Sequence, residues 1–335
     1  MSLPEPFGTL PDGQAVQRIT LRGGGLTARF LTWGAVLQDL RLDGHDAPLV
    51  LGLNDLPDYL AHSRYFGATA GRCANRIRDG HLALNGTTYQ LDRNFLGKHL
   101  LHGGAGGTGK RLWTVAAATD SALTLACTLP DGDMGFPGNV TLTARFALLP
   151  GGVLDICYSA RTDADTLCNI AQHSYFNLDG GPDLSDHLLT IDAFAYLPVD
   201  DELIPTGEIA AMAVDGYDFR QPRCPGAVAG AIDHNYCLSA TAELLRPVAW
   251  LQSRRSGVAM TVKTTEPGLQ VYNSTPLTVP VPGLGGRRYG AHAGLALEPQ
   301  IWPDANHHPR FPQALLRSGD SYEQHTQFIF AKDRT

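Results

Sequence analysis

Apolar and polar residues alternate along most of this chain with the period of two that a half-buried β-strand requires. The run VQRITLRGGGLTARFLTWGAVLQDLRLD is typical of two or three strands that glycines interrupt at residues 23–25 and 34. Three further pairs of alternating runs turn back at residues 85–86, 150–152 and 256–257. Asn-Gly at residues 85–86 is the strongest of these signals, because it suits the two-residue turn of a β-hairpin. The pattern predicts many antiparallel strands joined by tight turns.

Helical periodicity is scarce by comparison. DLPDYLAHS predicts one short helix, and PDLSDHLLTI predicts a further helical turn. Late segments such as LQVYNS and YEQHTQFIFA return to the strand pattern. Many short strands with few short helices predict an all-β fold, a large antiparallel β-sandwich or a barrel. No linker or fixed-period repeat divides the chain, so we expect one domain over residues 1–335 rather than a propeller or two small domains.

Composition and charge exclude several classes of partner. The chain has 335 residues, 43% of them hydrophobic, and a formal net charge of −7. Nucleic-acid binders are usually basic, so we expect no nucleic-acid partner. No stretch is apolar over the ~20 residues that a membrane helix needs, so we expect no membrane partner. The opening MSLPEPFGTLPDG has neither the basic start nor the apolar segment of a secretory signal, and we therefore expect a cytoplasmic location.

Six cysteines are spread along the sequence without a CxxC pair: Cys73, Cys127, Cys157, Cys168, Cys224 and Cys237. A chain of this size does not depend on disulfides, so we expect reduced and mostly buried thiols. Neither paired CxxC motifs nor an HExxH motif occurs, and these spacings predict no metal site.

Five polar clusters interrupt the strand pattern. They are GRCANRI at residues 71–77, KHLLHGG at 98–104, QHSYFNL at 172–178, IDHNY at 232–236 and LALEPQIWPDANHHPRFP at 295–312. The arginines of the first cluster offer planar forks of donors for hydroxyls or a carboxylate. A surface pair of arginines and a solvated loop histidine would account for the first two clusters equally well. Asp233 in IDHNY is either an acceptor for two hydroxyls of a polyol or the cap of a turn.

His173 and Glu298 are the candidates for proton transfer. His173 lies in a strand-like segment beside two aromatic residues, either as a hydrogen-bonded core residue or as a proton donor in a pocket. Glu298 follows the small apolar run LAL, which would carry it into a low dielectric and raise its pKa unless it is paired. A glutamate with a raised pKa makes a useful base near neutral pH. The alternative is a glutamate at a strand end that faces water.

The clusters together favour one kind of ligand. They contain neutral donors, histidines, a glutamate and aromatic surfaces. The sequence contains no glycine-rich phosphate loop, no dinucleotide fingerprint and no Gly-x-Ser-x-Gly elbow. This inventory suits a neutral polyhydroxylated molecule that is handled by proton transfer, without a cofactor.

The ordered segments GRCANRI, LLHGG, DGDMGFPGN, HSYFNL, DHNY and LEPQ…PDANHHPRFP resemble the aldose 1-epimerase (galactose mutarotase) family. The resemblance runs from residue 71 to residue 312 and implies an antiparallel β supersandwich, a sugar-binding cleft and no cofactor or metal. It implies that His173 is the general acid and Glu298 the general base. The residues it implies for holding the sugar are Arg72, His102 and Asp233, with His102 also acting near the ring oxygen. Asn75, in the same segment as Arg72, is a further candidate for substrate binding.

The expected reaction is the interconversion of the α and β anomers of a free hexose such as glucose or galactose. One proton leaves the C1 hydroxyl while another reaches the ring oxygen, and the open aldehyde then closes on its other face. The expected partner is a monosaccharide, bound by a monomer or a homodimer.

Three alternatives remain open on the sequence. A hexose-phosphate 1-epimerase would use the same chemistry with arginines for the phosphate, namely Arg72 and Arg76 or residues 287–288. A glycoside hydrolase would use Asp233 and Glu298 as its two carboxylates. A non-catalytic carbohydrate-binding sandwich would stack the sugar on aromatic rings, for which the candidates are Tyr175, Phe176 and Trp302.

Overall fold

A computed structural model describes residues 4–212, 216–228 and 230–332 of the chain. The ends of the predicted domain, residues 1–3 and 333–335, lie outside the described residues. Within these ranges no helix is long and apolar enough to cross a membrane.

The described residues form 26 strands, one α-helix and five short 3₁₀ turns. The first strands are β1 (Glu5–Thr9), β2 (Ala15–Gly23), β3 (Leu26–Leu31), β4 (Val36–Leu42), β5 (Ala68–Ala70), β6 (Arg76–Ile77), β7 (His81–Leu84), β8 (Thr87–Gln90), β9 (Leu100–Leu101), β10 (Thr114–Ala118), β11 (Ala122–Leu129), β12 (Val140–Leu149) and β13 (Val153–Thr162). The later strands are β14 (Thr166–Leu167), β15 (Ala171–His173), β16 (Tyr175–Phe176), β17 (His187–Ile191), β18 (Ala195–Leu197), β19 (Ala210–Ala211), β20 (Asp233–Cys237), β21 (Arg246–Ser253), β22 (Val258–Thr264), β23 (Gly268–Tyr272), β24 (Leu295–Gln300), β25 (Leu315–Leu316) and β26 (Ser321–Lys332). The helix is α1 (Leu56–His62), and the 3₁₀ turns are Arg78–Gly80, Thr108–Lys110, Asp133–Gly135, Leu284–Gly286 and Ala305–His307.

Three antiparallel sheets carry most of these strands. The largest has eight strands in the order β10-β11-β12-β13-β26-β22-β21-β17. A six-stranded sheet runs β16-β24-β23-β20-β18-β19, and a four-stranded sheet runs β1-β2-β3-β4. The predicted all-β antiparallel sandwich is confirmed.

One large hydrophobic core includes side chains from all three sheets. Phe30 of β3 and Phe146 of β12 are in contact, with ring centroids 4.4 Å apart. Phe176 of β16 contacts Phe328 of β26, with centroids 4.8 Å apart. Buried and partly exposed residues alternate along β22 of the eight-stranded sheet, as expected for a sheet with one face on the core. All six residues of β24 are buried instead, so polar side chains on that strand lie in the interior.

The structure confirms most of the local predictions. Hairpins close at residues 85–86, between β7 and β8, and at 150–152, between β12 and β13. The predicted helix is α1, where the Asp55 side chain accepts a hydrogen bond from the Asp58 N–H and Pro57 occupies the first turn. The helical turn predicted for PDLSDHLLTI is wrong, because its second half is strand β17. That segment alternates buried and half-buried residues and pairs with β21.

All six cysteines are free thiols. Four are buried, and Cys157 and Cys224 are partly exposed.

Replacing Phe146 by alanine should lower the free energy of unfolding by about 3–5 kcal/mol, because it leaves a cavity between two sheets. Thr141→Ala is the matched control, since Thr141 lies on the same strand with its side chain exposed, and it should stay within about 0.5 kcal/mol of the parent. Urea denaturation measures both. Equal losses in the two variants would contradict the layer arrangement.

Candidate active site

A cavity of about 330 Å³ opens at the end of the six-stranded sheet. Its lining combines polar side chains with aromatic rings. The polar side chains are Arg64, Asn75, Arg76, His102, His173, Asp233 and Glu298, and the aromatic ones are Tyr65, Phe95, Tyr175 and Tyr272. Five of the six predicted site residues therefore meet in one cavity, although they are widely separated in the sequence.

Short strands bring the two candidate proton-transfer groups together. Glu298 lies on β24, and His173 ends β15. His173 Nε2 is 3.6 Å from Glu298 Oε1, and the His173 and Glu298 side chains are 6% and 2% exposed. The ring of His173 stacks on Tyr175, with centroids 5.0 Å apart. Packing therefore fixes the imidazole beside the carboxyl group.

Burial sets the protonation of this pair. Loss of solvation lowers the pKa of His173 to about 4 and raises the pKa of Glu298 well above its ordinary value, with the negative charge of Asp233 adding to the effect on Glu298. Burial therefore favours the neutral form of each group in the free protein. Among the described residues, His173 Nδ1 and Glu298 Oε2 have no hydrogen-bond partner. These buried polar atoms favour a ligand rich in hydroxyl groups.

The second histidine of the cavity, His102, is held by the backbone of Asn75. The Asn75 N–H donates to His102 Nδ1 over 3.1 Å, and the His102 N–H donates to the Asn75 carbonyl over 2.9 Å. His102 Nδ1 is therefore the acceptor, and the ring proton lies on Nε2. Burial, followed by the positive charges of Arg76 and Lys110, holds the pKa of His102 well below its usual range, so the ring is neutral.

Asp233 is oriented by two donors. Arg76 Nη2 lies 3.0 Å from one carboxylate oxygen, and Gln270 Nε2 donates to the other over 2.6 Å. Gln270 is the residue opposite Glu298 in the pairing of β23 with β24. The Arg76 guanidinium also lies over the ring of Phe95, 4.7 Å from its centroid. The cavity thus presents a carboxylate and a guanidinium in a fixed orientation.

The structure places Arg72 outside the cavity, which corrects its predicted place in the sugar site. Its side chain is buried, and its two terminal nitrogens lie within hydrogen-bond distance of backbone carbonyls. Those carbonyls belong to Leu129, Pro130, Pro137 and Gly138. Arg72 therefore holds the loop around residues 129–138 through its bonds to these carbonyls. Arg76, four residues later in GRCANRI and at the start of β6, is the arginine that reaches the cavity.

The aromatic side chains also differ from expectation. Of the three proposed to stack on a sugar, Tyr175 lines the cavity. Phe176 packs in the core against Phe328, and Trp302 is buried against Phe311 while its indole N–H donates to the Pro267 carbonyl. The sequence analysis missed Tyr65, Phe95 and Tyr272. Isolated aromatic residues in loops and strands carry no signal that separates a cavity wall from a core.

Three of the cavity side chains have the chemistry of metal ligands. One ligand atom each from His102, His173 and Glu298 lies within 4.8 Å of the others. Two imidazoles and a carboxylate can hold a divalent cation. The same spacing also suits direct proton transfer to a small molecule.

Comparisons with known proteins agree with this geometry. A family model described as aldose 1-epimerase matches residues 17–328. The chain is 38% identical to galactose mutarotase from Bos taurus over 336 residues, which are 97% of each protein. It is 34% identical to aldose 1-epimerase from Escherichia coli (strain K12) over 345 residues, 98% of this chain and 99% of that protein.

Solved structures give the same result. An aldose epimerase homologue from C. elegans has a TM-score of 0.89 and 29% identity, and covers 96% of this chain and 100% of its own. Galactose 1-epimerase from Lactobacillus acidophilus NCFM has a TM-score of 0.85 and 26% identity, covering 100% and 99% of the two chains. The match to the family model spans most of the sequence, and the relatives from Bos taurus and Escherichia coli are 38% and 34% identical to this chain over nearly its full length. The chain belongs to the aldose 1-epimerase family.

Proposed function

We propose that His173 and Glu298 are the general acid and general base with which this enzyme interconverts the anomers of a free aldose. The family makes the chain an isomerase with aldose 1-epimerase activity. The observation that carries the assignment of roles is the 3.6 Å contact between His173 Nε2 and Glu298 Oε1 inside a closed-in cavity. A sugar bound there has its anomeric hydroxyl and ring oxygen within reach of both groups.

In the proposed reaction, Glu298 takes the proton of the C1 hydroxyl while His173 gives a proton to the ring oxygen. The C1–ring oxygen bond breaks and an aldehyde forms. Rotation about C1–C2 presents the other face of the carbonyl, and both transfers then run in reverse. The pair ends with the protons it started with, so no cofactor or external base is consumed.

Burial and the bound sugar favour opposite protonation states of this pair. Ring opening begins from the charged pair, with protonated His173 and ionised Glu298, and produces the neutral pair. The neutral pair is also the form that burial favours in the free protein. The bound sugar supports the charged form, because its C1 hydroxyl donates to Glu298 and its ring oxygen accepts from His173. The proposed reaction therefore requires the bound sugar to offset the desolvation cost of the charged pair before the ring opens.

The remaining cavity groups are proposed to hold the sugar. Asp233 accepts from ring hydroxyls, since each of its oxygens keeps a lone pair beyond the bonds to Arg76 and Gln270. The His102 Nε2–H is available for the ring oxygen, and Asn75 keeps that imidazole in place. A volume of about 330 Å³ suits one hexose. Relatives named galactose mutarotase make galactose, together with glucose, the proposed substrate.

The cavity favours a free sugar over a sugar phosphate. Of the arginines considered for a phosphate, Arg72 is bound to backbone carbonyls, and the Arg287 guanidinium donates to the Gly181 carbonyl. Arg76 lines the cavity but is paired with Asp233. A dianionic phosphate at Arg76 would compete with that carboxylate, which leaves Arg64 as the other arginine of the cavity lining.

We further propose that the chain acts as a single domain in the cytoplasm, as a monomer or a homodimer, with the monosaccharide as its partner. The core shared by all three sheets supports the single domain, and the six free thiols suit a reducing compartment.

His173→Gln and Glu298→Gln should each lower kcat for mutarotation by about 10²–10⁴-fold, because each removes one proton-transfer partner. Polarimetry of freshly dissolved α-glucose or α-galactose measures the rate. Glu266→Gln is a matched control, since Glu266 is equally buried but does not line this cavity, and it should keep full activity. A Glu298→Gln enzyme with most of its activity would refute the base assignment.

Substitutions of the two arginines in GRCANRI should change different properties, substrate binding for Arg76 and stability for Arg72. Arg76→Ala should raise KM about tenfold or more, because it removes a charged donor and frees the Asp233 carboxylate. Arg72→Ala should leave KM unchanged and lower the free energy of unfolding by about 1–3 kcal/mol, because buried carbonyls lose their donor. Steady-state kinetics and urea denaturation on both variants test this. The opposite pattern would return Arg72 to the sugar site.

The pH profile of kcat/KM should be broad and bell-shaped. The active pair holds one proton in total. A second proton binds only as the pH falls towards about 4, the pKa of His173, and the single proton leaves only as the pH rises through the raised pKa of Glu298. Activity should therefore fall as the pH drops towards about 4, and fall again as the pH rises through the raised pKa of Glu298. An acid limb centred near the ordinary histidine pKa of about 6.5 would contradict the buried, neutral state of His173.

A further inference from the structure

A second cluster of metal-binding side chains lies on the outer face of the eight-stranded sheet. Cys157 on β13 and His325 on β26 are directly opposite each other in the antiparallel pairing. Asp155 is two residues before Cys157, so it projects from the same face of β13. Opposite residues in such a pair have neighbouring side chains. The sheet therefore brings a thiol, an imidazole and a carboxylate together, on the face away from the core residues Leu154 and Ile156.

The three side chains are close enough to share one ion. One ligand atom from each of Asp155, Cys157 and His325 lies within 4.8 Å of the others. His325 Nε2 is 2.6 Å from Asp155 Oδ1, and Cys157 Sγ is 3.8 Å from Asp155 Oδ2. Ligand bonds of about 2.0–2.3 Å in a tetrahedral zinc site place the ligand atoms about 3–4 Å from one another. Small side-chain rotations are enough to reach that geometry.

The neighbours of the cluster permit access. The side chains of Asp155 and His325 are 6% and 34% exposed, so the carboxylate is shielded while the imidazole faces solvent. Gln327 Nε2 donates to Asp155 Oδ1 over 2.8 Å and can orient the carboxylate behind a bound ion. Arg145 Nη1 is 3.4 Å from Asp155 Oδ2, and its side chain is 51% exposed. An arriving cation can therefore displace this guanidinium into water.

We propose that Asp155, Cys157 and His325 form a binding site for a thiophilic divalent cation of the zinc type, with water as the fourth ligand. Sulfur, nitrogen and oxygen donors in one cluster suit Zn²⁺ rather than Ca²⁺ or Mg²⁺, which prefer oxygen alone. None of the three side chains lines the active-site cavity. The bound ion would link β13 to β26 and stabilise the folded chain without taking part in mutarotation.

Cobalt(II) is the probe for the test, because a cobalt–thiolate bond gives a charge-transfer band in the near ultraviolet. The metal-binding trio in the active site, His102, His173 and Glu298, contains no sulfur and cannot give that band. Titration of Co²⁺ into chelator-treated full-length protein should produce the band with one ion per chain. Cys157→Ser should abolish it, and His325→Asn should weaken Co²⁺ binding about tenfold or more.

Cys224→Ser is the matched control, because Cys224 is the other partly exposed thiol, and it should leave the band unchanged. Zn²⁺ should displace Co²⁺ and raise the unfolding temperature by several degrees in the parent protein, but not in Cys157→Ser. Polarimetry and circular dichroism should be normal for both cysteine variants. No band in the parent, a band that survives Cys157→Ser, or a band lost in Cys224→Ser would each overturn the site.

Discussion

The removal of Glu298 from water is the constraint on which the active site depends. It follows from the position of β24, a strand whose six residues are all buried. A carboxyl group there cannot carry a full charge cheaply, and the neighbouring His173 is under the same constraint. The nearby donors do not offset that cost, because the side chains of Gln270 and Arg76 donate to Asp233 instead. Asp233 is thereby held by two donors, while Glu298 Oε2 has no hydrogen-bond partner among the described residues.

The proposed acid, the proposed base and Asp233 come from strands of more than one sheet. The pair of proton-transfer groups comes from β15 and β24, and Asp233 comes from β20. β15 pairs with β5, whereas β24 and β20 both pair with β23, so a shift of β15 relative to β24 would change the distance between His173 and Glu298. The large core, with contacts such as Phe176 against Phe328, fixes these strands relative to the eight-stranded sheet. Packing far from the sugar thus determines the geometry at its anomeric carbon.

Much of the fold and part of the candidate site could be predicted from the sequence. Alternation and turn residues predicted the hairpins, and the apolar run before Glu298 predicted its burial, because both signals are local. The assignment of Arg72 to the sugar site failed, because GRCANRI contains two arginines and only the tertiary surroundings decide which one meets carbonyls and which meets a carboxylate. The helical turn predicted in PDLSDHLLTI was wrong because strand β17 depends on its pairing with β21, which is non-local and cannot be read from the segment itself. The aromatic cavity wall could not be predicted for the same reason.

The reciprocal bonds between Asn75 and His102 have a consequence for molecular recognition. They occupy Nδ1 and lock the ring, so a single hydrogen, on Nε2, is presented to the ligand. A cyclitol has the outline of a hexose but a carbon in place of the ring oxygen. In the proposed binding mode it would leave that buried hydrogen unpaired, at a cost of about 1–3 kcal/mol. The fixed imidazole would therefore bind a sugar ring more tightly than a carbocycle of the same shape, before any bond is broken.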